Sequence, residues 1–156
     1  MPLEPQADSE LATLEQAAAR YLRPLASPAQ LAGLTILTQK MRPQPGDFTK
    51  VFVGSAAQLA KERYGEMWQD GLAIERRPSQ TELQIRAVRV SEMKQGKMDG
   101  FPGGYSRILH LLQPDTIMLL FRFVEPGKSS GMRYDGLVKI EDDRWAWFPK
   151  PWRCVL

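Results

Sequence analysis

The sequence has a single cysteine, Cys154, and a single histidine, His110. One thiol cannot close an internal disulfide, and one imidazole with no other soft ligand nearby cannot complete a structural zinc site with it. Long apolar runs are also lacking: stretches such as IMLLF fall far short of the ~20 residues that span a bilayer. The opening MPLEPQADSE carries neither a positive n-region nor an apolar h-region, so no secretory signal is expected and a cytoplasmic setting is the expectation. No basic block occurs. The 21 Lys and Arg exceed the 18 Asp and Glu only enough for a formal net charge of +3, and the two signs interleave in LAKERYGEMW and VKIEDDRW. Neither nucleic acid nor a membrane is an expected partner on that pattern.

Catalytic and cofactor signatures are equally sparse. GFPGGYSR is glycine-rich but lacks the GxxxxGK[ST] spacing, Lys94 and Lys97 precede these glycines, and the segment that follows reads as a strand instead of a helix N-terminus. No cofactor is expected. His110, flanked by leucines in RILHLL, has no nearby Ser, Cys or carboxylate pair to work with, and Cys154 has no CxxC or papain-like setting. No catalytic residue is assigned.

What is present describes an α+β chain. Its 156 residues, 43% hydrophobic, suffice for one core. Residues 1–8 read as a flexible tail and 9–156 as a single domain. Ser9 is a candidate N-cap for a helix with Leu11, Leu14, Ala18, Tyr21, Leu22 and Leu25 at three- and four-residue steps, which Pro24 should end or distort in its last turn. Ser27 and Pro28 signal a second start, with Leu31, Leu34, Leu37 and Met41 on one stripe. RPQPGD breaks the chain, DFTKVFV fits either a helical turn or a brief strand, and Ser55 with Gln58 suggests a capping box for a helix stopping near Gly71.

The second half alternates with a period of two. In TELQIRAVRV the apolar set moves from Leu83, Ile85 and Ala87 to Val88 and Val90, which predicts a β-bulge near Ala87. TIMLLFRFV reads as a central strand covered on both faces, and RYDGLVKI and RWAWF as the last two strands. A two-residue Asp142–Asp143 loop would place Glu141 opposite Arg144, Ile140 opposite Trp145, Lys139 opposite Ala146 and Val138 opposite Trp147. The aromatic cluster DDRWAWFPKPWR is therefore expected to put Trp145 and Trp147 into the core.

This order of elements, helices before a curved antiparallel sheet that closes with GLVKIEDDRWAWF, resembles the NTF2-like superfamily. The resemblance implies helices packed into a bent sheet to form a cone, with a pocket in some members. It carries over no catalytic residue. Two functional expectations follow. In the first, the protein is a non-catalytic, protein-binding accessory or immunity-type protein, whose partner surface would include Trp152, Arg153 and Lys150, because Trp and Arg are enriched at interface hot spots. In the second, it is a small-ligand binder or enzyme with a pocket between helices and sheet, lined by Tyr105, Arg107, His110, Tyr134 and Asp135 beside a glycine-rich loop.

Overall fold

Helix α1, Glu4–Leu22, opens the computed structural model, which describes residues 4–27 and 33–156. It begins before the expected cap at Ser9, so residues 4–8, anticipated as tail, are helical. Pro5 is tolerated because the first-turn N–H groups have no intrahelical partner to lose. Leu11, Ala18 and Leu22 are buried on one stripe, and the chain tightens into a 3-10 turn, Arg23–Ala26, at Pro24. The start signal at Pro28 and the stripe position Leu31 lie outside the described residues. Helix α2, Gly33–Lys40, buries Leu34 and Thr38, and Leu37 packs against the same core.

DFTKVFV resolves as helix α3, Phe48–Val51, followed by a bridge from Phe52 to Leu112. Helix α4, Ser55–Asp70, ends at Gly71, whose φ of +97° suits glycine. The capping box does not form. Gly54 occupies the cap position without a side-chain bond, Ser55 is already helical, and Gln58 Nε2 donates instead to Glu62 Oε1 at 3.2 Å.

Four strands, β1 Glu82–Arg89, β2 Ile117–Val124, β3 Tyr134–Glu141 and β4 Arg144–Trp147, form an open antiparallel meander in that order. β2 is central and buried on both faces, as its composition implies. The bulge anticipated near Ala87 is absent: β1 pairs with β2 without interruption from Glu82–Val124 to Arg89–Ile117. Ala87 and Val88 are both buried, so this end of β1 is covered on both faces and the apolar set can change parity without a register change. The irregularity lies instead between β2 and β3, where Leu119 pairs with Leu137 and Leu120 with Asp135, leaving Gly136 as the extra residue at a φ of +88°. A Cβ there would strike the Phe148 carbonyl.

The final hairpin turns through Asp142 and Asp143 and pairs Glu141 with Arg144, as its sequence suggests. Beyond that pair the expected register is wrong by one residue. Ile140 is bulged out, so Lys139 faces Trp145, Val138 faces Ala146 and Leu137 faces Trp147. Both tryptophans remain in the core: Trp145 stacks on Tyr21 of α1 at 5.9 Å, and Trp147 meets Trp68 of α4 and Tyr134 edge-on.

Helix α1 thus touches both edges of the sheet. Its Glu15 accepts the outward N–H of Ala87 at 2.8 Å, its Glu10 pairs with Arg89, and its Tyr21 lies on β4. The opposite edge is occupied at Trp147, whose N–H donates to the Met41 carbonyl. These two edge donors are thereby satisfied within the chain. After β1 come helix α5, Val90–Lys94, and a loop. YSRILHLL, expected as a strand, forms two 3-10 turns, Gly103–Arg107 and Leu109–Leu111. A short helix α6, Trp152–Val155, ends the chain.

Candidate functional site

Two of the expected ligand-binding residues meet. Tyr105, carried by the 3-10 turn, donates its hydroxyl to Asp135 Oδ2 of β3 at 2.5 Å, and the Lys150 backbone N–H donates to the same oxygen at 3.0 Å. The Asp135 main-chain carbonyl accepts from Trp147 Nε1 at 2.8 Å. Nearby, the Tyr64 hydroxyl donates to the Pro149 carbonyl at 2.9 Å. Burial pushes the Asp135 carboxyl above its ordinary range, against the opposing effect of the Tyr105 and Lys150 donors. Burial, reinforced by the negative charge of Asp135, pushes the Tyr105 and Tyr64 hydroxyls well above theirs. The Cys154 thiol is pushed up to about 11, again chiefly by burial. These groups are donors and acceptors held inside the protein. They fix the reversal from Phe148 to Lys150, where Lys150 sits in the left-handed region at a φ of +47°.

The remaining ligand candidates do not converge on this pair. Adjacent strand residues point to opposite faces, so Tyr134 lies on the other side of the sheet from Asp135. Its ring stacks on Phe121 and its hydroxyl both accepts from the Glu75 N–H and donates to the Glu75 carbonyl. Arg107 and His110 are exposed and make no hydrogen bond or ion pair among the described residues. Of the partner-surface candidates, Lys150 and Arg153 are exposed, whereas Trp152 is half-buried. Its indole lies over Gly104, where a Cβ would overlap the ring, and edge-on to Tyr105 at 5.6 Å.

A second arrangement was not anticipated from the sequence. Arg86 of β1, Arg122 of β2 and Arg133, which immediately precedes β3, line one groove of about 650 Å³ on the face of the sheet that also carries Leu120. Arg86 lies opposite Leu120, and Arg122 lies opposite Gln84 two residues farther along β2. Arg133 precedes Tyr134, the partner of Phe121, and so falls at the level of Arg122. Asp99 is the one carboxylate lining the groove, 3.7 Å from Arg86 Nε. The other two guanidiniums are held by neutral acceptors: Gln84 Oε1 takes Arg122 Nε at 2.7 Å, and the Gly100 carbonyl takes Arg133 Nη1 at 2.5 Å. Each retains donors that could meet an anion, and the planar guanidinium matches carboxylate geometry. Gly100, at a φ of +91°, brings bare backbone against Leu120 at the groove floor. The period-two polar positions in TELQIRAVRV, and the lone arginine in TIMLLFRFV, were the legible part of this signal; the level of Arg133 required the pairing of β2 with β3.

Among the described residues, no group of three or more His, Cys, Asp or Glu side chains could hold a metal ion, and no helix is long and apolar enough to cross a membrane. Comparison with protein-family models, curated proteins and solved structures finds no match.

Proposed function

We propose that this protein works by binding another protein, in a non-catalytic accessory or immunity-type role within the cytoplasm, and that the arginine-walled groove is its principal contact surface. One observation carries the reading: three guanidiniums gathered over one sheet face against a single lining carboxylate. Arg133, one residue before β3, stands at the level of Arg122 on β2, where like charges oppose folding, and a bound anion would relieve that opposition. Arginine is also enriched where interfaces concentrate their binding energy. The reading of a pocket between helices and sheet draws no support from Tyr105 and Asp135, which are buried against each other.

The test is affinity capture from native lysate of the source cells with the full chain and with a variant carrying Arg86→Gln, Arg122→Gln and Arg133→Gln. A defined protein retained by the wild type and lost from the variant is expected. Indistinguishable eluates, identified by mass spectrometry, overturn the proposal.

A further inference from the structure

The spacing of the three arginines restricts what the groove can hold. Arg86 and Arg122 occupy diagonal positions on adjacent antiparallel strands, a separation of about 7–8 Å between such residues. In an extended peptide, residues i and i+2 project to the same side about 6.6–6.8 Å apart. Carboxylates at alternate positions of an extended segment therefore repeat at nearly the interval of the guanidinium bases, and the long arginine side chains absorb the difference. A helix places successive side chains of one face about 5–6 Å apart, a poorer match to the same interval.

The floor favours a peptide over a nucleic acid. Grooves for single-stranded nucleic acid combine cations with exposed aromatic faces on which bases stack. The one aromatic ring lining this groove, Phe121, is only 1% exposed and is already packed against Phe123 and Tyr134. The floor is instead built of Leu120, 8% exposed, and the bare backbone of Gly100 beside it, which the main chain of an extended segment can approach closely.

We infer that the groove walled by Arg86, Arg122 and Arg133 binds an extended, acidic segment of the partner protein that carries Asp or Glu at every second position. This rests on the protein-binding reading and specifies the partner's contact chemistry. Phosphate-bearing side chains would engage the same guanidiniums, so the experiment separates them from carboxylates.

The test is fluorescence anisotropy of the full-length protein with short labelled peptides. One alternates Glu and Thr, one alternates Gln and Thr, one has the composition of the first with its glutamates in a single block, and one alternates phosphoserine and Thr. An oligothymidylate of matched charge is the nucleic-acid control. The alternating Glu peptide is expected to bind, to weaken as salt rises, and to bind more tightly than the block peptide, with no binding of the Gln peptide. Each single Arg→Gln substitution should lower its affinity by up to about fivefold and the triple substitution by about tenfold or more. Thermal melts of these variants no lower than that of the wild type establish that folding is intact. Equal binding of block and alternating peptides, tighter binding of the phosphoserine peptide or of oligothymidylate, or binding indifferent to the arginines overturns the inference. If the peptide fails while lysate capture still depends on the arginines, the acidic-strand assignment falls and the protein-binding reading stands; if both fail, both fall.

Discussion

The Tyr105 hydroxyl and the Asp135 carboxylate, 30 residues apart in sequence, share a 2.5 Å hydrogen bond whose acceptor oxygen also takes the Lys150 N–H. One buried aspartate thereby ties the 3-10 turn after the glycine-rich loop to β3 and to the reversal that leads into α6. Tyr105→Phe would remove one of these donors while keeping the ring. The variant should lose about 1–3 kcal/mol in chemical denaturation, the cost of leaving a buried acceptor short of a partner. A wild-type midpoint would show the bond to be energetically idle.

Asp47 and Arg144 form the other buried link. Arg144 Nη1 and Nη2 reach Asp47 Oδ2 and Oδ1 at 2.7 and 2.9 Å, joining the turn before α3 to the start of β4. Arg144→Ala leaves the carboxylate of Asp47 buried without its countercharge. A loss on the order of 2–3 kcal/mol is expected, below the cost for fully buried pairs because the Arg144 side chain is 24% exposed. Asp47→Asn with Arg144→Ala should cost less than the two single losses added together.

The two buried aspartates act on stability with opposite sign. Burial raises the Asp47 carboxyl, but the Arg144 guanidinium and the Gln44 N–H outweigh it and hold the group below its ordinary 3.8. The folded state then binds fewer protons than the unfolded one, so this contribution is complete above that value and is lost as pH falls through the lowered folded pKa. Asp135 is raised above 3.8, chiefly by burial, so its contribution weakens as pH rises from 3.8 through the raised folded pKa. Unfolding free energies measured against pH should show a shallower acid loss in Asp47→Asn, and should show the decline above 3.8 reduced in Asp135→Asn. Curves parallel to the wild type would contradict both assignments.

Trp145→Ala and Trp147→Ala each empty a site in the core and should cost about 3–5 kcal/mol by thermal or chemical unfolding. Trp152 is half-buried over Gly104, so Trp152→Ala should cost less than either, yet lower the melting temperature measurably. Gly104→Ala would drive a methyl group into the Trp152 ring and should destabilise by about 1–3 kcal/mol. Combined with Trp152→Ala, most of that penalty should vanish. Additive losses would mean the ring and the glycine do not constrain each other.

Cys154 is buried and its thiol is pushed up to about 11, so little thiolate exists near neutral pH. Alkylation by iodoacetamide should be slow in the native protein and fast in denaturant. Equal rates would place the thiol at the surface.

The α+β class, the central position of β2, the Asp142–Asp143 turn and the burial of Trp145 and Trp147 were all legible in the sequence. Each depends on local pattern: period two, turn chemistry, or a long apolar run. The same local patterns misread other segments. YSRILHLL read as a strand, but it forms two 3-10 turns, the first of which carries Tyr105 to Asp135 and Trp152. Trp152 beside the basic Lys150 and Arg153 suggested an exposed anchor; the structure leaves the two basic residues exposed and half-buries the ring over Gly104. Register was the part least available, because a single bulged residue at Gly136 or Ile140 shifts every later partner, and local preference for a bulge is too weak to locate it. Composition and periodicity therefore determined which residues go inside and which elements form. The tertiary structure decided that Arg86, Arg122 and Arg133 share one groove, since that outcome follows from strand pairing, which no single segment encodes.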